Sequence, residues 1–396
     1  MTREQSRPSV ATISFTTHSK HFNYGAVLHG WAFQRVLARM GCDSVVIDYV
    51  PRSLEGYSFK WPVLNALRGW RHPFLIPRRV AQWLVSTRAN LRKMEKFEKF
   101  KRMRLACTPR TYTEKTLVSA QRLEGCDPSV FVCEADVIWK RCKNRAFDRG
   151  FFLDFPSAEG KCKVAYAPSV AKEPFQPDEE RRFAEYLRGF DALSSRERAG
   201  AEYMSRISGR GVPWLLDPTL LLPAAEYAAI AEPSRRNGYI LLYTCMNANV
   251  NMVREARRLA AHTGKALVEV GNYGINRYIF GHEVIDDAGI EEWLGLFMSA
   301  DAVVCNSFHG ICFSLIFHKP FFAFKRAEDD WRFTGMCSEF GLEDRLMERD
   351  GRIPECVADI DFAAIDGKLA SHIARSMDYI RDNIVRPARQ AEGGLP

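Results

Sequence analysis

Short apolar runs alternate along this chain with longer stretches in which apolar residues recur at helical spacing. Residues 9–17 (SVATISFTT) predict a buried first strand, followed by a polar loop through Asn23 and Tyr24. A helical pattern (AVLHGWAFQRVLARM) starts at Gly25 and stops at Gly41, and SVVIDY follows as a second strand. SVFVC (129–133), KVAYAP (163–168) and DALSS (191–195) predict further strands, with PDEERRFAEYLRGF as a helix between the last two. A second series opens at GYILLY (238–243) and continues through REARRLAAHTG, ALVEV, IEEWLGLFMSA, AVVC, GICFSLIFH and FFAF as alternating helices and strands. Such alternation predicts an α/β fold of two doubly wound parallel sheets. The segment WLLDPTLLLPAAEY separates the series, dividing the chain into units 1–216 and 217–396. A length of 396 residues agrees with two cores.

Composition adds exclusions. Hydrophobic residues at 46% and charged residues at 26% are ordinary globular values. No stretch has the uncharged apolar length of a membrane-spanning helix, and MTREQSRPSV lacks the apolar core of a signal peptide, so a cytoplasmic location is expected. The 11 cysteines are scattered without a CxxC pair, which points to reduced structural thiols and away from disulfides or a zinc site.

Charge is uneven. Between Arg52 and Arg104 there are 14 Lys/Arg against Glu55, Glu95 and Glu98, a surplus greater than the net +8 of the whole chain. Trp61, Leu67, Trp70, Phe74, Leu75, Trp83 and Leu84 interleave with these charges. Residues 52–125 therefore read as a basic helical insertion in the first unit. Its 52–104 part suits peripheral contact with an anionic membrane face, or equally a helix packed on its own domain. Nucleic acid is not expected, because no binding motif accompanies the charge.

Chemistry concentrates where predicted strands end and helices begin. Asn306, Ser307, Phe308, His309 and Gly310 lie between AVVC and GICFSLIFH, where open α/β sheets bind ligands and free N–H groups attract anions. Asn306 or Ser307 can cap the helix, Gly310 permits close approach, and His309 suits proton exchange near neutral pH. Lys325 and Arg326 follow FFAF and can hold a phosphate or carboxylate, as can Arg332 further on. Ser194 and Glu197 fit a capping box, which leaves Arg196 to face the cleft. Asn23, Tyr24 and Gly25 occupy the corresponding position in the first unit, a place for a sugar or a plain helix start. Asp136, in ADVIW, is a candidate base or sugar-binding carboxylate, against the reading of a surface acid.

The ordered fragments NYGAVLHGWAFQRVL, VVIDYVP, KFEKFKRMRLACTPRTYT, ADVIW, KVAYAPS, SSRE, LDPTLLL, ADAVVCNSFHG, KPFFAF and GLEDR, from Ile13 to Arg345, together resemble the polysaccharide pyruvyl transferase family. The resemblance implies two Rossmann-like domains facing across a cleft, GT-B-like, with phosphoenolpyruvate as donor and His309 catalytic. On this reading Arg196, Ser307, Phe308, Gly310, Lys325 and Arg332 bind the donor, Asn23, Tyr24, Gly25 and Trp139 bind the acceptor, and Asp136 assists. The acceptor expected is a lipid-linked or nucleotide-linked saccharide carrying a hydroxyl pair that becomes a cyclic ketal, and the chemistry calls for no metal or other cofactor. One departure stands out: family members usually carry Gly-Ser-Asp-Gln-(Ile/Val)-Trp, where this chain has Glu134, Ala135, Asp136, Val137, Ile138 and Trp139. A GT-B glycosyltransferase, or a silent sugar-binding protein on the same fold, are the competing readings.

Overall fold

The computed structural model describes residues 8–17, 22–55, 76–142, 147–170, 175–245, 249–326, 331–355 and 359–393. Two parallel sheets organise them. The first runs β2 (Asp43–Val46), β1 (Ser9–Ile13), β5 (Val130–Glu134), β6 (Cys162–Tyr166). A small pair, β3 (Tyr49–Val50) and β4 (Tyr112–Thr113), lies outside it. The second sheet runs β12 (Leu346–Met347), β11 (Phe321–Phe324), β10 (Ala302–Cys305), β7 (Tyr239–Thr244), β8 (Ala266–Gly271), β9 (Glu283–Ile285). Sheets covered on both faces need continuous apolar strands, and β5, β7 and β11 are buried at every residue. DALSS makes two isolated bridges instead of a strand, Ala192 to Val164 and Ser195 to Trp214.

Strand order reverses between β1 and β5 in the first sheet and between β7 and β10 in the second. Crevices for ligands form at such switch points, outside the carboxyl ends of the strands. Helix α1 (Tyr24–Arg39) leaves the first switch point, with the Asn23 side chain accepting from Ala26 N at 3.2 Å and Gly41 at φ +80° past its end. Helix α2 (Phe308–Ile316) leaves the second. Both are apolar around almost their whole circumference, as helices enclosed by protein must be. Every residue of α2 is buried, as is every residue of α1 from Tyr24 to Gln34.

Two features depart from the simple division at residue 217. The helix Phe362–Ile380 and the turns after it return to the first sheet: Tyr379 Oη donates to Ala165 O at 3.1 Å, Ser9 N to Glu392 Oε1 at 3.1 Å, and Leu216 N to Ser376 Oγ at 3.2 Å. The basic helix α3 (Ile76–Arg104) in turn reaches across to the second sheet, through Lys96 to Glu292 at 2.6 Å and Arg92 to Asp287 at 2.8 Å. Its Lys93 Nζ is buried, donating to Gly271 O at 3.1 Å and Asn272 Oδ1 at 2.8 Å while lying 4.8 Å from the Tyr24 ring. Three of the described α3 cations, Arg92, Lys93 and Lys96, thus bond to the opposite unit, while Lys101 pairs with Asp48 of its own at 2.9 Å. Leu84, Arg88, Leu91, Lys99, Arg102 and Met103 face outward. Trp61, Leu67, Trp70, Phe74, Leu75 and the Trp83 side chain lie outside the described residues.

Candidate active site

The two enclosed helices bring one histidine each to the junction of the sheets. His29 sits one turn after Gly25 on the same face of α1, and His309 opens α2. Their rings stack with centroids 6.0 Å apart and planes 22° apart. This approach demands glycine at position 25: an added Cβ would fall 2.0 Å from His309 Nδ1. Gly25 thus makes room for the His309 ring.

Carboxylates surround the pair. Glu134 Oε2 lies 2.8 Å from His29 Nδ1, and Glu134 Oε1 accepts from Thr16 Oγ1 at 3.2 Å. Asp136 Oδ2 lies 3.7 Å from His29 Nε2. Asp217 Oδ2 takes Arg196 Nη1 at 2.7 Å and lies 3.5 Å from His309 Nε2, while its Oδ1 accepts from Thr219 N and Oγ1 at 3.0 and 2.8 Å. Asp217 can do both because it caps the turn Pro218–Leu221, which packs on α1. All six ionisable side chains are at least nine-tenths buried, so Asp136 is no surface acid. Four of their atoms, His29 Nε2, Asp136 Oδ2, His309 Nε2 and Arg196 Nε, have no hydrogen-bond partner among the described residues. Buried polar atoms are almost always satisfied, yet each of these faces an oppositely charged neighbour at 3.5, 3.7 or 3.8 Å, beyond hydrogen-bond reach.

Electrostatics divide the histidines. Burial pushes both downward, but the Glu134 charge, the nearby Asp136 carboxylate and the bond to Glu134 override it at His29 and lift its pKa to about 10. At His309 burial prevails over the attraction of Asp217, aided by repulsion from Arg196 and His29, and the pKa falls below the ordinary value. Burial opposes ionisation of Asp136, yet the adjacent His29 cation and the charge of Arg196 hold it well below the usual carboxylate range. Asp217 is likewise held low, against burial, by His309 and Arg196.

Several sequence expectations are corrected by this geometry. Trp139 is fully buried, stacked on Phe152 at 5.3 Å, and its Nε1 donates to Phe151 O at 3.0 Å. It cannot touch an acceptor. It anchors the turn in which Ala135 and Asp136 both take left-handed backbone (φ +47° and +49°), a strain that recurs at working sites. Tyr24 joins the two units instead of facing a sugar: it stacks on Trp293 at 5.1 Å and donates to Ala288 O at 2.9 Å. Asn23 remains at the cleft, beside a water-sized cavity of about 20 Å³ shared with Thr244, Cys245 and Asn272.

Arg196 is committed to Asp217 and lies 4.5 Å from the Phe308 ring, so Phe308 supports Arg196 rather than a ligand. Lys325 pairs with Glu348, and Gly310 accommodates Cys305, whose Sγ would lie 2.6 Å from an added Cβ. Ser307 starts α2 without a side-chain cap, because Asn306 instead clasps Cys245, accepting from its N at 2.7 Å and donating to its O at 3.2 Å. No capping box forms at Ser194, whose Oγ accepts from Ala167 N and donates to Ala165 O, each at 2.8 Å. Arg332 lies in the helix Trp331–Phe340, away from the histidine pair in sequence but after the same sheet edge. The sequence reading missed His29, Glu134 and Asp217. The i, i+4 spacing from Gly25 to His29, and a lone glutamate ending an apolar strand, were the available signals.

A chamber of ionisable groups where the switch points of two Rossmann-like sheets meet defines a cleft enzyme of GT-B-like architecture. Residues 23–328 match the polysaccharide pyruvyl transferase family, and the chain belongs to that family, which makes it a transferase. Among curated proteins none matches. Solved structures similar to the chain include the UDP-GlcNAc 2-epimerase of Methanocaldococcus jannaschii, at 11% identity and TM-score 0.49, covering 98% of this chain and 99% of that one. The heptosyltransferase WaaC of E. coli, with ADP, is similar at 12% identity and TM-score 0.39, covering 92% and 99%.

Proposed function

We propose that the protein transfers the pyruvyl group of phosphoenolpyruvate to a pair of saccharide hydroxyls, forming a cyclic ketal. The observation that carries this reading is His309, a buried imidazole whose Nε2 has no hydrogen-bond partner among the described residues and faces the Asp217 carboxylate across 3.5 Å. A neutral, desolvated histidine is a poor acid until an anion arrives beside it. Phosphoenolpyruvate supplies that negative charge, restoring the protonated form at the moment it is needed.

The donor phosphate then meets the free N–H groups at the start of α2, and the carboxylate meets Arg196 Nε, which no hydrogen bond occupies among the described residues and which lies 3.8 Å from Glu197. His309 gives its proton to the methylene carbon. The adjacent carbon becomes an oxocarbenium centre, which one sugar hydroxyl attacks. Asp136, held ionised, is too weak a base to keep that proton; it orients the hydroxyl, and the proton leaves with the phosphate. The C–O bond to phosphate breaks, and the second hydroxyl closes the ketal, returning its proton to His309. Binding of a lipid-linked acceptor would be aided by the outward stripe Leu84, Arg88, Leu91, Lys99, Arg102 and Met103 of α3 at an anionic bilayer face.

The deciding experiment incubates the protein with phosphoenolpyruvate and a panel of lipid-linked and nucleotide-linked saccharides. A product heavier by one pyruvate less one water, with release of phosphate, is expected. Nucleotide release would point to glycosyl transfer, and no product from any acceptor would point to sugar binding alone.

A further inference from the structure

The proposed reaction uses His309 and Asp136 but gives no work to His29, although α1 buries it against both. Each of its ring nitrogens faces a carboxylate: Nδ1 is 2.8 Å from Glu134 Oε2 and Nε2 is 3.7 Å from Asp136 Oδ2. A neutral imidazole would turn a lone pair toward one of them, so this geometry selects the doubly protonated ring. Glu134 is pinned on its far side by Thr16, which fixes the ring in turn. Asp136 Oδ1 is occupied by Val137 N at 2.6 Å, so His29 is the described group placed to aim Asp136 Oδ2.

We propose that His29 is a positioning residue of the transferase site: clamped by Glu134, it holds the Asp136 carboxylate toward the acceptor and, stacked on His309, tunes the readiness of that imidazole to give up its proton. The kinetic part rests on the transferase reading; the electrostatic part does not. Facing His309 are Asp217 from the start of the second unit and Arg196 and His29 from the first; facing His29 are Glu134, Asp136 and, further off, Asp217. Removing the His29 cation deletes a repulsion on protonated His309, so the His309 midpoint must rise.

The test uses full-length protein carrying ¹⁵N-labelled histidine, with His309 assigned by its loss in His309→Gln. In His29→Gln the His309 titration midpoint should move upward by about one pH unit, as expected for a charge at this separation in a medium of intermediate dielectric. Glu134→Gln, which keeps an acceptor for Nδ1 but removes the charge that lifts His29, should lower the His29 midpoint itself and serves if the first variant fails to fold; an unmoved His29 midpoint there overturns the clamp. With phosphoenolpyruvate and an accepted saccharide, turnover should fall roughly 10- to 100-fold in His29→Gln, with the donor KM within about two-fold of the unaltered protein. An unmoved His309 midpoint in a folded variant overturns the proposal, whatever the enzyme assay shows. A moved midpoint with no turnover in the unaltered protein leaves the electrostatic link intact and defeats the pyruvyl transfer reading instead.

Discussion

Two buried glutamates, each touching a histidine, stand at comparable places in the two sheets. Glu269 in β8 is saturated: Thr244 Oγ1 donates to it at 2.9 Å, Asn276 Nδ2 reaches both oxygens at 3.0 and 3.1 Å, and His282 lies at 2.8 Å. All of these partners belong to the second sheet and its connections, although Asn276 Oδ1 and His282 Nδ1 lack partners of their own. Among the described residues Glu134 at the end of β5 bonds to Thr16 and His29 alone, and the network that begins there runs through Asp136, His309, Asp217 and Arg196 across both units. A carboxylate whose lone pairs are filled locally stabilises its own sheet. One that shares a histidine with a second carboxylate, beside atoms left unsatisfied, maintains charges ready for a ligand.

That contrast can be tested by matched variants. His309→Gln should lower turnover by about 10²- to 10⁴-fold with little change in unfolding midpoint, whereas His282→Gln should lower stability and leave turnover per folded molecule unchanged. Loss of turnover in both, measured on correctly folded protein, would erase the distinction. Arg196→Ala leaves Asp217 charged, buried and short of its main cation, so chemical denaturation should show a loss of about 3 to 5 kcal/mol, in addition to weakened donor binding. A variant that lost donor affinity alone would mean that Arg196 is held chiefly by the ligand.

Gly25→Ala probes the same junction sterically. The new methyl must displace the His309 ring, so turnover should drop at least 10-fold while the helix itself, freed of a glycine, is not weakened. Unchanged turnover in this variant would show that the close packing of α1 on His309 has no part in catalysis. The smallest effect is expected from Arg88→Glu, Lys99→Glu and Arg102→Glu on the outward face of α3. Stability should stay within about 0.5 kcal/mol, and any binding to anionic vesicles at low salt should disappear. An unaltered protein that ignores such vesicles removes the membrane role without touching the chemistry.

Much of this architecture could be read in the sequence, because parallel strands and the helices between them announce themselves through local period. His309 was legible for the same reason: it stands in a short polar interruption between a buried strand and a buried helix. His29 was not, since one histidine in an apolar helical run looks like a core residue until a second helix is brought against it. Asp217 resembles an ordinary cap, and its other oxygen finds His309 only through tertiary packing. The misplaced roles of Trp139 and Lys325 share a cause. Their partners, Phe152 and Phe183 in one case and Glu348 in the other, lie on separate elements whose docking no local pattern encodes.

The crossing of α3 from one unit to the other bears on how the molecule moves. Two-lobed enzymes commonly assemble their chemistry by hinging shut, and their lobes must part to release product. Here Lys93, Lys96 and Arg92 tie the second lobe to a helix rooted in the first, close to the aromatic contact of Tyr24 with Trp293. Wide parting would expose a buried ammonium and break those ties together, so traffic through the site is favoured along the edge away from α3. The basic segment is for this reason a mechanical tether, and a shortened chain lacking it would be expected to gain motion between the lobes at the expense of a preformed reaction chamber.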